Sequence, residues 1–66
     1  MNDEIKEKLL AHFGTKSKMA RALGVSRQQV NHWYNDGKMP SMRCALKLAK
    51  AIGIDWMEIR VDLRDL

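Results

Sequence analysis

Arg27, Gln28, Asn31 and His32 bring four hydrogen-bonding heads into a short stretch of this sequence. On a helix, residues one turn apart share a side, so this spacing places them together. A guanidinium offers a fork of donors, and a carboxamide offers a donor beside an acceptor. Those are the heads that pair bidentately with guanine (Arg) and with adenine (Gln, Asn) in the major groove of duplex DNA. With Asn35 they form the outward polar face of the helix, the residues free to meet base edges. Ser26 reads first as a helix cap that also reaches a base or phosphate. No Ser, Cys or carboxylate nucleophile stands with His32 in a recognisable arrangement, so it reads as a base or phosphate contact rather than a catalytic base.

A second set has the chemistry of phosphate binding. Lys16, Lys18, Lys38 and Arg43 flank the polar stretch where a nucleic-acid backbone would pass, and Thr15 and Lys16 start a helix whose free amides favour an anion. Lys47 and Lys50 read as solvated, and His12 as a favourable helix C-terminal residue. The net charge of +4 is unevenly spread. Between Lys8 and Lys50 stand nine bases and one acid, Asp36, giving +8, while residues 1–7 and 51–66 carry −2 each. A positive field confined to the middle suits a polyanion, because each phosphate neutralised releases counterions.

The elements that position these groups follow from apolar spacing and caps. Asn2 or Asp3 caps a helix over about 3–13 with Ile5, Leu9 and Phe13 inward, stopped by Gly14. Thr15 caps a second helix from Lys16 to Leu23, with Met19, Ala20 and Leu23 buried and Gly24 at its end. Ser26 and Gln29 form a capping box, and Val25 with Val30 a hydrophobic staple, at the start of a third helix from Arg27 to Asn35. Its Val30 and Trp33 face the core. Tyr34 is expected at the core edge with its hydroxyl on a phosphate. A fourth helix spans about 41–52, with Ala45, Leu48, Ala49 and Ile52 inward. In the tail, Asp55 caps a short helix through Trp56 and Ile59, although Met57, Ile59, Val61 and Leu63 also alternate like a strand. The expectation is a short helix, then extended chain.

Size and composition exclude several classes. The chain of 66 residues supports one domain around one small core, of marginal stability. A lone cysteine, Cys44, gives neither an internal disulfide nor a zinc site, so no metal or cofactor is expected. No apolar run approaches the roughly 20 residues that span a bilayer, and the N-terminus lacks a basic leader, so the sequence reads as cytoplasmic. An enzyme is disfavoured, because a chain of this size offers neither a deep pocket nor a catalytic constellation.

Lys16 to Trp33, with Ala20, Leu23, Gly24, Val25, Ser26, Val30 and Trp33 in order, resembles the helix-turn-helix of Cro and repressor proteins from lambdoid phages. Phe13-Gly14-Thr15 and Ala22-Leu23-Gly24-Val25-Ser26 are similar to the all-helical Cro proteins especially, with YdaS-like prophage regulators a near alternative. The resemblance covers most of residues 10–53. It implies an all-α, compact four- to five-helix domain like that of lambda repressor, with the helix-turn-helix at about 16–35 and a tail at 54–66. It further implies base contacts from the start of the recognition helix and one turn on, which here are Ser26, Arg27, Gln28, Asn31 and His32, with Arg27 and Gln28 foremost, and a homodimer on palindromic operator DNA in a bacterial host. Trp56, Met57, Ile59, Val61 and Leu63 either join two subunits or cover their own core. The competing reading is an antitoxin or other protein-interaction module that uses this tail.

Overall fold

The computed structural model describes residues 1–64. Its elements are α1 (Asp3–Phe13), α2 (Lys16–Leu23), α3 (Arg27–Asn35), α4 (Met42–Ile52), a 3-10 turn (Trp56–Glu58) and α5 (Val61–Arg64). The fold is all-α, with no strand among the described residues. Each of the four longer helices opens on a side chain that accepts from its first turn: Asn2 from the Ile5 amide, Thr15 from Lys18, Ser26 from Gln29 and Ser41 from Cys44. The fourth helix thus begins at Met42, with Ser41 as its cap.

Gly24 shows why the α2–α3 turn is tight. It sits at φ 72°, a left-handed conformation that costs glycine nothing. The Val25 amide then reaches back to the Ala20 carbonyl at 3.0 Å, closing a Schellman motif. Val25 packs on the core and Val30 is fully buried, so the apolar pair brackets the Ser26 cap as expected.

The core joins Ile5 and Leu9 of α1, Met19, Ala20 and Leu23 of α2, Val30 and Trp33 of α3, and Cys44, Ala45, Leu48 and Ala49 of α4. Phe13 and Ile52, expected inward, lie half-buried against it. Ala20 at the α2–α3 crossing lets the two helices approach closely. Ile59 completes the core with no exposed surface.

The tail departs from expectation after the 3-10 turn. There the chain does not run extended but makes one helical turn, with the Leu63 amide on the Arg60 carbonyl at 3.0 Å. Arg60 provides the reason: its guanidinium grips both oxygens of Asp62, at 2.9 and 2.7 Å, and donates to the Pro40 carbonyl at 3.0 Å. This pins residues 60–62 to the loop before α4. The hydrogen bond from Arg60 lowers the Asp62 carboxyl below the ordinary carboxylate range and raises the guanidinium in turn. Of the two roles open to the tail, Ile59 takes the one in its own core, whereas Trp56, Met57 and Leu63 are half-buried and Val61 is exposed. The part of the expected extended chain at residues 65–66 lies outside the described residues.

Tyr34 also differs from expectation, since its hydroxyl is used inside the protein. It donates to the Lys6 carbonyl at 2.9 Å, and the Lys6 ammonium returns to the Tyr34 carbonyl at 2.9 Å. This reciprocal hook ties α1 to the C-terminal end of α3, where a cation also suits the helix dipole. Burial pushes the Tyr34 phenol up to about 12, from an ordinary 10.0. The neutral phenol therefore stabilises the fold below about pH 10, and that contribution is lost as pH rises toward 12. With one tyrosine in the chain, phenolate absorbance should show a midpoint near 12 in buffer and near 10 in denaturant. Coincident midpoints would contradict the buried hook.

Candidate nucleic-acid interface

The third helix stands out because it packs chiefly on α2 and buries only Val30 and Trp33. At 100° per residue Arg27, Gln28, Asn31 and His32 occupy an arc of roughly 140° on the other side. Arg27 and Gln28 are exposed, and Asn31 and His32 are half-exposed. Nine residues make a rod about 14 Å long and 10–12 Å across, the width of the B-DNA major groove. The structure thus brings the four heads onto one outward face.

The start of that helix is fixed by a reciprocal pair. Ser26 Oγ accepts from the Gln29 amide at 3.2 Å, and Gln29 Oε1 accepts from the Ser26 amide at 3.3 Å. Gln29 is thereby committed to the cap, as its position indicated, while Ser26 remains exposed. Ser26→Ala should cost about 1 kcal/mol of folding free energy. Thermal denaturation would register the loss, and Ser26→Asn should restore most of it; an unchanged melting temperature for the alanine variant would count against the cap.

His32 and Asp36 are joined, Nδ1 of the ring to Oδ2 of the carboxylate, one turn apart at the end of α3. The hydrogen bonds of the described residues leave His32 Nε2 without a protein partner.

Two groups of cations flank this face in sequence. Thr15, the α2 cap, is exposed beside Lys16 and Lys18, its oxygen accepting from the Lys18 amide at 3.0 Å. The Lys16 ammonium lies 4.9 Å from the centre of the Tyr34 ring, a cation–π contact that draws it toward the end of α3. Lys38 is exposed on the loop after α3. Arg43 is exposed on the first turn of α4 and belongs to a notch that also takes in Arg21, Gly24, Ser41 and Lys47. Periodicity alone does not group Arg21 with Arg43, and Lys47 reads from it as solvated. Arg21 lies far from Arg43 and Lys47 along the chain, and the fold sets the end of α2 beside the start of α4 in this notch. Lys6 was missed too, because it sits in the acidic N-terminal flank, yet its hook holds the end of α3.

None of the described helices is long and apolar enough to cross a membrane. Among the described residues no group of His, Cys, Asp or Glu is placed to hold a metal ion. Cys44 is buried and free.

Comparison with curated proteins and with solved structures gives no match. The family model described as helix-turn-helix matches residues 5–59, which runs from the first core residue of α1 to the last core residue of the tail. The chain belongs to the helix-turn-helix family of DNA-binding transcription regulators.

Proposed function

We propose that this regulator is a Cro-type repressor of a phage or prophage, a single domain over residues 1–66 that occupies an operator in the cytoplasm of a bacterial host. The observation that carries the reading is the outward face of α3, where a capped N-terminus presents Arg27 and Gln28, with Asn31 and His32 one turn behind. Repression by occupancy needs no catalysis, metal or cofactor. Ser26, Arg27, Gln28, Asn31 and His32 read bases, with Arg27 the best fitted to a guanine edge and Gln28 to an adenine. Thr15, Lys16, Lys18, Lys38 and Arg43 hold phosphates on either side and set the register.

Such a domain buries only about 600–1,000 Å² on DNA, so useful affinity calls for two copies on a palindromic site. The surface that supports self-association is apolar and lies on α4 and the tail. Leu46 is 50% exposed, and it borders an open groove with Ala49, Lys50, Ile54, Asp55 and Trp56. Lys50 and Asp55 on its rim have opposite charges, so a two-fold axis passing between them would set each against its opposite in the second copy. The same surface would serve an antitoxin reading, in which the tail holds a protein partner.

The test is binding to duplex DNA across a range of salt. Four charged phosphate contacts in each subunit set an upper slope of about −7 for log affinity against log salt, and partial engagement gives about −4. A slope within that range is expected. A flat response would contradict the phosphate assignments.

A further inference from the structure

Asp36 is the one acid between Lys8 and Lys50, and its place is unfavourable on electrostatic grounds. It caps the C-terminal end of α3, where the helix dipole disfavours a negative charge. It also lies at the end of the face proposed to enter the groove, among phosphates. Its side chain is 53% exposed, so burial gives nothing in return. What the carboxylate does is accept from Nδ1 of His32.

That contact decides what His32 can recognise. A carboxylate accepts and never donates, so Nδ1 must carry the proton. In a neutral imidazole the other nitrogen is then an acceptor, its state set by the hydrogen bond that the first one makes. Nε2 is the ring atom left without a protein partner. In the major groove the donors are the exocyclic amino groups of cytosine N4 and adenine N6, whereas guanine offers only acceptors.

We propose that Asp36 is a positioning residue for base recognition: it fixes His32 as the Nδ1–H tautomer, and the outward Nε2 selects a cytosine or adenine amino group. The inference rests on the proposed reading of α3, and its experiment has one arm that does not. In that arm nitrogen NMR of the free protein at about pH 9, where imidazole ordinarily carries one proton, assigns the tautomer of His32. The expected result is a proton on Nδ1 in the wild type, with Asp36→Ala shifting it toward Nε2. His12, the other histidine, should not respond. A wild-type ring protonated on Nε2 would overturn the proposal.

In the second arm, affinities are measured at the same pH of about 9, on duplexes that vary one base pair at a time around the preferred site. Asp36→Ala and His32→Ala should relax preference at the same single base pair, by about two- to tenfold, what one net hydrogen bond is worth. The wild type should prefer cytosine or adenine in the contacted strand there. A preference for guanine at that position, or Asp36→Ala leaving every preference intact, would overturn the proposal. Failure of the underlying reading shows differently, as unchanged base preferences in Arg27→Ala and Gln28→Ala, and would remove the recognition role of Asp36 while leaving the tautomer result standing.

Discussion

Ile59→Ala is expected to bring the protein close to its unfolding midpoint at ambient temperature. The side chain has no exposed surface and closes the core from the tail side against α4. Truncating a fully buried isoleucine costs about 2–5 kcal/mol, from lost transfer free energy and the cavity left behind. A domain of this size rarely has more than about 3–5 kcal/mol in total, so one truncation consumes most of it. Val61→Ala, two residues on at a 36% exposed position, should stay within about 0.5 kcal/mol of the wild type. Helical circular dichroism during thermal and urea denaturation distinguishes the two. If Ile59→Ala melted like the wild type but no longer self-associated, the residue would belong to an interface and the packing described here would be wrong.

The second large effect concerns specificity. Arg27→Ala and Gln28→Ala should each cost about 1–3 kcal/mol on the preferred duplex and relax preference at one base pair, because a bidentate contact distinguishes the right edge from the wrong one. Neither should disturb folding, since both side chains are exposed and neither makes the cap. Lys38→Ala should instead weaken specific and non-specific duplexes nearly alike and reduce the salt slope by about one unit, as a phosphate carries the same charge beside every base. The ratio of specific to non-specific affinity is the quantity to follow. Should Lys38→Ala collapse that ratio while Arg27→Ala and Gln28→Ala leave it unchanged, α3 would not be the reading element.

The helices and their starts were legible because local chemistry decides them. Thr15 and Ser26 cap in the structure where the spacing of polar and apolar residues put them, and Gly24 stops α2 through a left-handed backbone. The outward face of α3 was legible for the same reason, since Val30 and Trp33 define its opposite side. What the sequence left open was settled by contacts between distant residues. Alternating Met57, Ile59, Val61 and Leu63 fit a strand or an interface, and only the packing of the tail on α4 sends Ile59 inward. The extended tail gave way to a helical turn because Arg60 finds both Asp62 and the Pro40 carbonyl, twenty residues away. Periodicity holds no record of that reach. The Tyr34 hydroxyl went to Lys6 rather than outward because α1 and α3 meet there, across twenty-eight residues.

Selection of bound sequences from a pool of random duplexes tests the central claim most directly, that the exposed N-terminal face of α3 reads DNA sequence. The account predicts one enriched motif with two-fold symmetry, its half-sites centred about one helical turn apart, roughly 10–10.5 base pairs. It further predicts that Arg27→Ala loses information at one position of each half-site and keeps the spacing. Enrichment of no motif by the wild type, or the same motif at full strength from Arg27→Ala and Gln28→Ala, would contradict it.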